Sequence, residues 1–283
     1  MAKDRVNFQN FPKHEVRSII TAPKGHMLVS FDYSQLEARL IAMASKDEVF
    51  CKAIWTGGEA GDTHLYWARQ LAKRYPKITK IIDVDKGLRK DIKNGLVFPS
   101  FYGASTKSIA EHYANNFGVP MAITTELHID FWDTYVGVKQ WQQELLDFYD
   151  ENGYIISLTG RRRHAPLKKN EIINYPIQSS ASYDVCIMAG DRLSKLGWEL
   201  NKPQYQYRIQ IHDDLTFCLP IATLEEDIEF IAKQMVDPTI YPFINVPLGV
   251  EFAVGENWYT LEEVGKHDST NWWKYVGEGW VEK

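Results

Sequence analysis

The segment from Tyr205 to Leu219 constrains the fold more than any other part of this 283-residue chain. Apolar and polar residues alternate by two on either side of His212-Asp213-Asp214, which is the period of a half-buried β-strand. The sequence therefore predicts an antiparallel hairpin with a pair of carboxylates at its turn. Packing alone does not favour two charges at the end of a buried ribbon, so this turn is a candidate functional site.

Helical patterns fill most of the chain between an early strand and this late hairpin. Residues 27–31 are predicted to form a buried strand that runs directly into Asp32. A capping box at Ser108 predicts a helix that ends at Gly118. The other predicted helices cover residues 34–50, 64–74, 86–97, 126–149 and 175–196, with a β-like segment at 154–158. This order indicates an α+β fold and not a regularly alternating βαβ chain.

Composition excludes several classes of protein. With 45% hydrophobic and 24% charged residues, the chain is neither disordered nor collagen-like. No stretch approaches about 18 consecutive apolar residues, so we expect neither a transmembrane helix nor a membrane partner. Cys51, Cys186 and Cys218 are too far apart for a metal knuckle, and their odd number argues against a disulfide framework. Cysteine usage therefore favours a reducing, intracellular setting.

Basic residues are concentrated in two parts of a chain whose formal net charge is −5. Residues 64–107 contain ten Lys and Arg against three Asp and Glu, and Arg161-Arg162-Arg163 form a second run. A solvated surface is the ordinary explanation for any one such run. A protein that is acidic overall can nevertheless bind a polyanion on one basic face.

Three carboxylates are predicted to lie at strand ends: Asp32, Asp213 and Asp214. Hard divalent cations such as Mg²⁺ prefer oxygen ligands of this kind. Two such ions about 4 Å apart would clamp an in-line phosphoryl displacement. The spacing alone leaves the ordinary alternative open, in which each aspartate is a turn residue or a helix cap.

Three longer segments give these acids a context. Residues 29–39 resemble motif A of the family A (polymerase-I-like) DNA polymerases, residues 89–105 resemble motif B, and residues 210–214 resemble motif C. Further segments similar to that family follow the same order along the chain, at residues 7–12, 62–64, 159–163, 174–178 and 255–258. The resemblance thus covers nearly the whole chain.

The resemblance implies a polymerase palm, an antiparallel sheet with helices, and a mainly helical fingers subdomain. Residues 1–47 and 173–283 would form the palm, and residues 48–172 the fingers. The thumb and the 3′–5′ exonuclease of the family have no counterpart in this sequence. We therefore expect either a truncated chain or the product of a split gene, in which case a separate polypeptide would carry them. The expected location is the cytoplasm of a bacterium or of a phage-infected host.

The resemblance also implies a two-metal site. Asp32 and Asp213 would hold two Mg²⁺ ions, for which Mn²⁺ is a possible substitute, together with the backbone carbonyl of Tyr33. Asp214 stands where the family usually has Glu and is expected to be a catalytic supporting acid, with an ordinary turn residue as the alternative. The residues implied to bind the incoming dNTP are Gln35, Glu37, His64, Arg89, Lys93, Phe98 and Tyr102. The residues implied to contact primer-template DNA are Gln9 and Asn10, with Asn7, and Arg161, Asn174, Gln178 and His212.

Individual roles within the nucleotide-binding set follow from the same resemblance. Glu37 would be the steric gate against a ribose 2′-OH, and Phe98 would pack against the sugar. His64, Arg89 and Lys93 would contact the triphosphate, because guanidinium and ammonium groups suit phosphate oxygens.

Motif B departs from the family by one residue. Phe98 lies five positions after Lys93 where the family has four, and Pro99 replaces a usual Gly. An extra residue inside a helix is how a π-bulge arises, so we expect a bulge or kink between Asn94 and Pro99. An unbroken straight helix would instead move the phosphate ligands to Lys90 and Asn94. A second one-residue slip follows Gln178.

The function that these features favour is template-directed, Mg-dependent transfer of a nucleotide from a dNTP to a primer 3′-OH. The alternative within the family is a catalytically impaired DNA-binding subunit that needs a separate thumb and exonuclease polypeptide. A metal-dependent nuclease or phosphatase would explain Asp32 and Asp213 but not Glu37, Phe98 or Tyr102. Glu37 also disfavours an RNA polymerase.

Overall fold

The computed structural model describes residues 16–56 and 61–268, together with the backbone of residues 273–275 and 280–282. The DNA-contacting residues expected at Asn7, Gln9 and Asn10 lie outside the described residues. The chain divides into two compact units, of which one comprises Met1–Glu37 and Gln178–Lys283 and the other Ala38–Ile177. We call the first the sheet unit and the second the helical unit.

Nine strands and eleven α-helices are present in the described residues. The strands are β1 His26–Tyr33, β2 Tyr154–Ile156, β3 Arg162–His164, β4 Ile209–Ile211, β5 Asp214–Pro220, β6 Gly249–Gly255, β7 Glu262–Asp268, β8 Trp273–Tyr275 and β9 Trp280–Glu282. The helices are α1 Leu36–Ser45, α2 Glu48–Thr56, α3 Thr63–Arg74, α4 Arg89–Ile92, α5 Phe98–Phe101, α6 Thr106–Phe117, α7 Met121–Thr134, α8 Val136–Asn152, α9 Lys169–Ser179, α10 Met188–Glu199 and α11 Leu224–Val236.

The sheet unit contains a five-stranded antiparallel sheet in the order β4-β5-β1-β6-β7. Its central strand β1 buries Phe31, whose ring contacts Phe217 edge-on at 5.6 Å and Phe252 at 5.9 Å. Side chains alternate between the two faces of a strand, so burial of Phe31 sends Asp32 to the opposite face, where it is exposed. Helix α11 packs on the sheet through a buried apolar stripe that includes Ile231 and Met235.

The helical unit is built around a cluster of buried aromatic rings. The ring centre of Phe101 lies 4.8 Å from that of Phe50 and 5.4 Å from that of Phe131, and the ring centres of Trp67 and Phe131 are 5.3 Å apart. The indole N–H of Trp67 donates to the hydroxyl of Tyr135 at 3.2 Å, so its polar atom is satisfied inside this core. Helices α2, α3, α5 and α7 each contribute to the cluster.

The α+β prediction is confirmed, and four local predictions need correction. The N-cap expected at Ser108 lies three residues earlier, at Ser105, whose side chain accepts from the Ser108 amide at 3.2 Å; the end of this helix at Gly118 is confirmed. The helix expected over 126–149 is two helices, α7 and α8, which are separated at Tyr135. The helix expected over 34–50 is also two, α1 and α2. Asp214 is the first residue of β5 and not a turn residue.

Motif B contains the expected bulge. A π-helical segment at Lys93–Val97 joins α4 to α5, and another at Val84–Leu88 precedes α4. The alternative of an unbroken α-helix through this region is wrong. A third π-helical segment, Ser180–Ile187, follows α9 at the position of the second one-residue slip. Both insertions are thus absorbed by widened helical turns.

No helix among the described residues combines the length and the apolar character needed to cross a membrane.

Candidate functional site

The end of β1 and the turn between β4 and β5 meet in the sheet unit. The Tyr33 amide donates to the Asp213 carbonyl at 3.3 Å, and Asp32 lies directly opposite Asp214 in the strand register. Directly opposed residues of an antiparallel pair project to the same face. The sheet therefore brings Asp32, Tyr33, Asp213 and Asp214 together, although about 180 residues separate the two segments.

The side chain of Tyr33 anchors this strand end in the core. Its hydroxyl donates to the Met235 carbonyl at 2.8 Å and lies 2.7 Å from the hydroxyl of Tyr241. Burial, reinforced by the neighbouring Tyr241, holds the pKa of the Tyr33 phenol well above its usual range. The neutral phenol is therefore a fixed hydrogen-bonding group that attaches β1 to the end of α11.

Two hydroxyl groups orient the carboxylate of Asp214. Ser30 donates to one of its oxygens and Thr216 donates to the other at 3.0 Å. Burial raises the pKa of Asp214 to about 6, and the charge of Asp213 adds to this rise, whereas both hydroxyls lower it. With both oxygens engaged by strand neighbours, the side chain is held against the sheet, as suits a supporting acid.

Negative charge is concentrated at this edge of the sheet. The pKa of the buried Cys186 thiol is raised, first by burial and then by the charges of Asp213, Asp214 and Asp32. All three carboxylates thus lie close enough to the buried Cys186 sulfur to raise the pKa of its thiol. Carboxylate and carbonyl oxygens are the donors that Mg²⁺ prefers, so the chemistry of the donor set fits the implied metal.

Among the described residues, no three or more His, Cys, Asp or Glu side chains are arranged to hold a metal ion. The set implied by the sequence contains two such side chains, Asp32 and Asp213, and a backbone carbonyl.

A cavity of about 210 Å³ lies beside these acids within the sheet unit. Its lining is Glu37, Gln178, Ala181, Ser182, His212 and Asp213. Four of these residues were singled out in the sequence for metal, nucleotide or primer contacts. Gln35 lies outside this lining, on the exposed turn before α1, with a left-handed φ of 53°.

The turn that carries Asp213 is held by a side-chain amide. His212 has a φ of 54°, in the left-handed region that non-glycine residues rarely adopt. The Gln210 amide nitrogen donates to the His212 carbonyl at 2.6 Å and lies 3.4 Å from the Ser182 hydroxyl. Gln210 therefore supports the conformation that presents Asp213.

In the helical unit, Asp62 connects the residues expected to contact phosphate. Its side chain caps α3 by accepting from the Leu65 amide at 2.9 Å, and it accepts from Arg89 Nε at 2.5 Å. His64 follows two residues later on the same helix. Burial lowers the pKa of His64 to about 4; Asp62 opposes this shift, whereas Lys93 and Arg89 add to it. At neutral pH this cluster thus has two cations, the Asp62 carboxylate and one neutral imidazole.

The π-helical segment brings a residue expected to contact phosphate and one expected to contact the sugar to one side of the helix. In an α-helix, residues five apart are rotated by about 140° from each other. Here Lys93 Nζ lies 5.5 Å from the centre of the Phe98 ring. Phe98 also lies 5.8 Å from the His64 ring and stacks on Tyr102 at 6.0 Å with an interplanar angle of 12°. The widened turn thus keeps Lys93 and Phe98 together.

Buried polar groups fix the end of this helix. Gln142 Nε2 donates to the carbonyls of Ser100 and Phe101 at 3.1 and 2.8 Å, at the C-terminal end of α5. The Ser100 hydroxyl donates to the Leu96 carbonyl at 2.5 Å and lies 3.0 Å from His128 Nε2. Burial, with the charge of Lys139, lowers the pKa of His128 to about 4.

Arg161 and Asn174 also belong to the helical unit. Arg161 ends the turn between β2 and β3, where its amide donates to the Ser157 hydroxyl at 3.1 Å. The Tyr175 hydroxyl donates to the Arg161 carbonyl at 3.5 Å, so this hairpin is attached to α9, the helix that carries Asn174. Gln178 is exposed near the end of the same helix.

Sequence reasoning missed the residues that hold the site in place. Ser30, Thr216 and Gln210 lie in predicted strands, and nothing in their spacing distinguishes them from ordinary strand residues. Glu251 lies opposite Asp32 on β6 and accepts from the Ser34 hydroxyl at 3.0 Å. Only the strand register could have identified Glu251, and the register cannot be read from the sequence. Asp62 belongs to the 62–64 segment of the resemblance, but neither its capping of α3 nor its bond to Arg89 was predicted.

Comparisons with known proteins agree with the resemblance. The sequence model of DNA polymerase family A matches residues 1–260. DNA polymerase I of Deinococcus radiodurans is 28% identical over 89% of this chain, and the thermostable DNA polymerase I of Thermus aquaticus is 26% identical over 91%. The chain spans 26% and 30% of the lengths of these two relatives.

A solved structure shares the fold. The POL domain of Pol1 from M. smegmatis, in complex with DNA primer-template and dNTP, superposes with a TM-score of 0.70 at 23% identity. The match covers 89% of this chain and 44% of that one.

Proposed function

Because this chain belongs to DNA polymerase family A, we propose that it carries out template-directed transfer of a nucleotide from a dNTP to a primer 3′-OH. The observation that carries the proposal is the junction of motifs A and C, where Tyr33 bonds to Asp213 and Asp32 opposes Asp214. Such a junction would allow two acids that are remote in sequence to act at one site. In this proposal the sheet unit is the palm and the helical unit is the fingers.

Asp32 and Asp213, with the Tyr33 carbonyl, would hold two Mg²⁺ ions, and Mn²⁺ would substitute for them. When bound, the ions stabilise the charge that develops on the attacking and leaving oxygens of the displacement. Asp214 would support this edge as a catalytic acid that is held in place by the two hydroxyl groups bound to its oxygens.

The triphosphate would be bound by Arg89, Lys93 and a neutral His64. Arg89 is already oriented by its bond to Asp62, which limits the rotamer freedom that it loses on binding. Because burial keeps the imidazole of His64 neutral, it would donate one N–H and add no charge.

Two residues would select the sugar. Glu37 lines the cavity that Asp213 also lines, so a ribose 2′-OH would meet a carboxylate there. Phe98 would pack on the sugar from the motif B helix. Phe in place of Tyr predicts discrimination against nucleotides without a 3′-OH. Gln35 would also contact the nucleotide.

Primer-template DNA would be contacted from both units. Gln178 and His212 line the cavity beside Asp213 and would contact the primer terminus. Tyr102 would stack at the template base, and Arg161 and Asn174 would contact the strands. Gln9 and Asn10 would contact the minor groove.

Primer extension with Mg²⁺ tests the proposal directly. We expect the wild-type chain to extend a primer with dNTPs but not with ribonucleotides, and Asp213→Ala to lose about 1,000-fold or more of the rate. Exposed Asp150 on α8 gives a matched control, Asp150→Ala, which should retain full activity. Cleavage of DNA in Mg²⁺ without nucleotides, in place of extension, would instead support a nuclease.

A further inference from the structure

The cavity in the sheet unit contains a hydroxyl group that has no assigned role. Ser182 lines it beside Glu37, Gln178, His212 and Asp213. The proposed function gives each of those four a place at the sugar, the primer or the metal. Ser182 lies among them, and no sequence motif singled it out.

The widened helical turn after α9 explains how Ser182 reaches the cavity. It belongs to the π-helical segment Ser180–Ile187, of which Ser180, Ala181 and Asp184 are buried. Ser182 is half-buried, so its side chain remains accessible at the cavity wall.

The direction of the hydrogen bond between Gln210 and Ser182 follows from the neighbouring carbonyl. The Gln210 atom 2.6 Å from the His212 carbonyl must be the amide nitrogen, because a carbonyl oxygen can only accept. The same nitrogen lies 3.4 Å from Ser182 Oγ, so the hydroxyl is the acceptor in that contact. Ser182 therefore retains its own hydrogen for donation to another group.

We propose that Ser182 donates a hydrogen bond to the minor-groove acceptor of the primer-terminal base and is thus a specificity-determining residue for extension. This inference rests on the proposed function. Bases present an acceptor on the minor-groove edge, N3 of a purine or O2 of a pyrimidine, so the contact does not depend on sequence. It does depend on the position of the base, and a mismatched terminus displaces that acceptor.

A chemical double-mutant cycle tests the contact. The primer ends either in adenine or in 3-deazaadenine, which lacks the N3 acceptor, and the rate of single dNTP addition is measured for each variant. We expect the analogue to slow the wild type about fivefold, as for the loss of one hydrogen bond. Ser182→Ala should be slowed about fivefold on the natural primer and should show no further loss on the analogue.

Two further variants separate the contact from a general structural effect. Ser182→Thr keeps the hydroxyl and should keep the sensitivity to the analogue. Ser194→Ala removes a half-buried serine on α10, in the same unit but outside the cavity lining, and should behave as wild type. If the analogue still slows dNTP addition by Ser182→Ala about fivefold, another residue makes the N3 contact, and the inference is overturned.

Failure of the inference and failure of the proposed function give different results. A wild-type chain that extends both primers at equal rates overturns the role of Ser182 alone. A wild-type chain that does not extend the natural primer, and does not bind it in a fluorescence anisotropy titration at low salt, overturns both.

Discussion

The motif B helix of the helical unit and the central strand of the sheet unit accommodate a one-residue change in opposite ways. In the helical unit, an extra residue in motif B is absorbed by the π-helical segment Lys93–Val97, and Lys93 and Phe98 remain neighbours. In the sheet unit, Asp32 depends on strand register, since a shift by one residue would turn it to the opposite face. A helix can absorb one extra residue in a single widened turn, whereas an extra residue in a strand turns every later side chain to the opposite face. Motif B can therefore vary in length where motifs A and C cannot.

The largest effect should come from one extra residue in β1. An alanine inserted after Val29 would send Phe31 into solvent and Asp32 into the core. We expect loss of cooperative thermal unfolding, measured by circular dichroism, and of all primer extension. A matched insertion after Lys107, at the exposed start of α6, should preserve both. A cooperative, active β1 variant would show that the register does not position Asp32.

The two units should also differ in their response to acid. Burial lowers the pKa of His64 and of His128 to about 4, so the unfolded helical unit takes up protons below about pH 6.5 and the folded one does not. The stability from each neutral histidine is thus present above pH 6.5 and is lost as pH falls towards 4, by about 3 kcal/mol. Asp214 has the opposite sign, because its pKa is raised to about 6 and acid favours its folded form.

Hydrogen exchange at pH 7 and pH 5 measures this difference. After correction for intrinsic rates, amide protection in α7, the helix of His128, should fall more than protection in β5, the strand of Asp214. The variant His128→Asn should reduce the pH dependence in α7. Equal changes in α7 and β5 would contradict the assignment of opposite signs.

A smaller effect is expected from shortening the π-helical segment. Deletion of Asn94 would restore α-helical spacing in motif B. Phe98 would then lie four positions after Lys93, and the helical turn would no longer be widened. If the bulge only absorbs the insertion, the KM for dNTP should change less than about threefold. Deletion of Asn116, near the exposed end of α6, has no compensating bulge and serves as the control. A rise in the KM for dNTP above tenfold on deletion of Asn94, but not on deletion of Asn116, would show that dNTP binding requires the wide turn around Gly95.

The smallest predicted effect concerns the hydroxyls that hold Asp214. Because Ser30 and Thr216 lower the pKa of Asp214, the variants Ser30→Ala and Thr216→Val should raise it further. The acid limb of the rate of primer extension should then move to higher pH, with a loss of a few-fold at pH 6.5 and little change at pH 8. Ser194→Ala is the control. An unchanged pH profile would remove Asp214 from the account of activity.

The success of prediction from sequence follows the same division between local and long-range structure. The bulge near Asn94 was predictable because a one-residue excess over a family spacing is visible in a single segment. The capping of α6 by Ser105 was missed because Ser108 offers a competing cap three residues away. The carboxyl group of Glu251 opposite Asp32 was not predictable, because strand register depends on pairing between segments over 200 residues apart. Likewise, the hydroxyls around Asp214 become visible only once β1 and β5 are paired.

The most direct test of the account is whether Asp32 and Asp213 hold divalent ions jointly. Electron paramagnetic resonance can follow Mn²⁺ binding to the chain in the presence of primer-template and dNTP, after subtraction of the signal without protein. The account predicts that the wild type and Asp150→Asn bind two ions, whereas Asp32→Asn and Asp213→Asn each bind Mn²⁺ at least tenfold more weakly. Two ions bound with wild-type affinity by both Asp32→Asn and Asp213→Asn would contradict it.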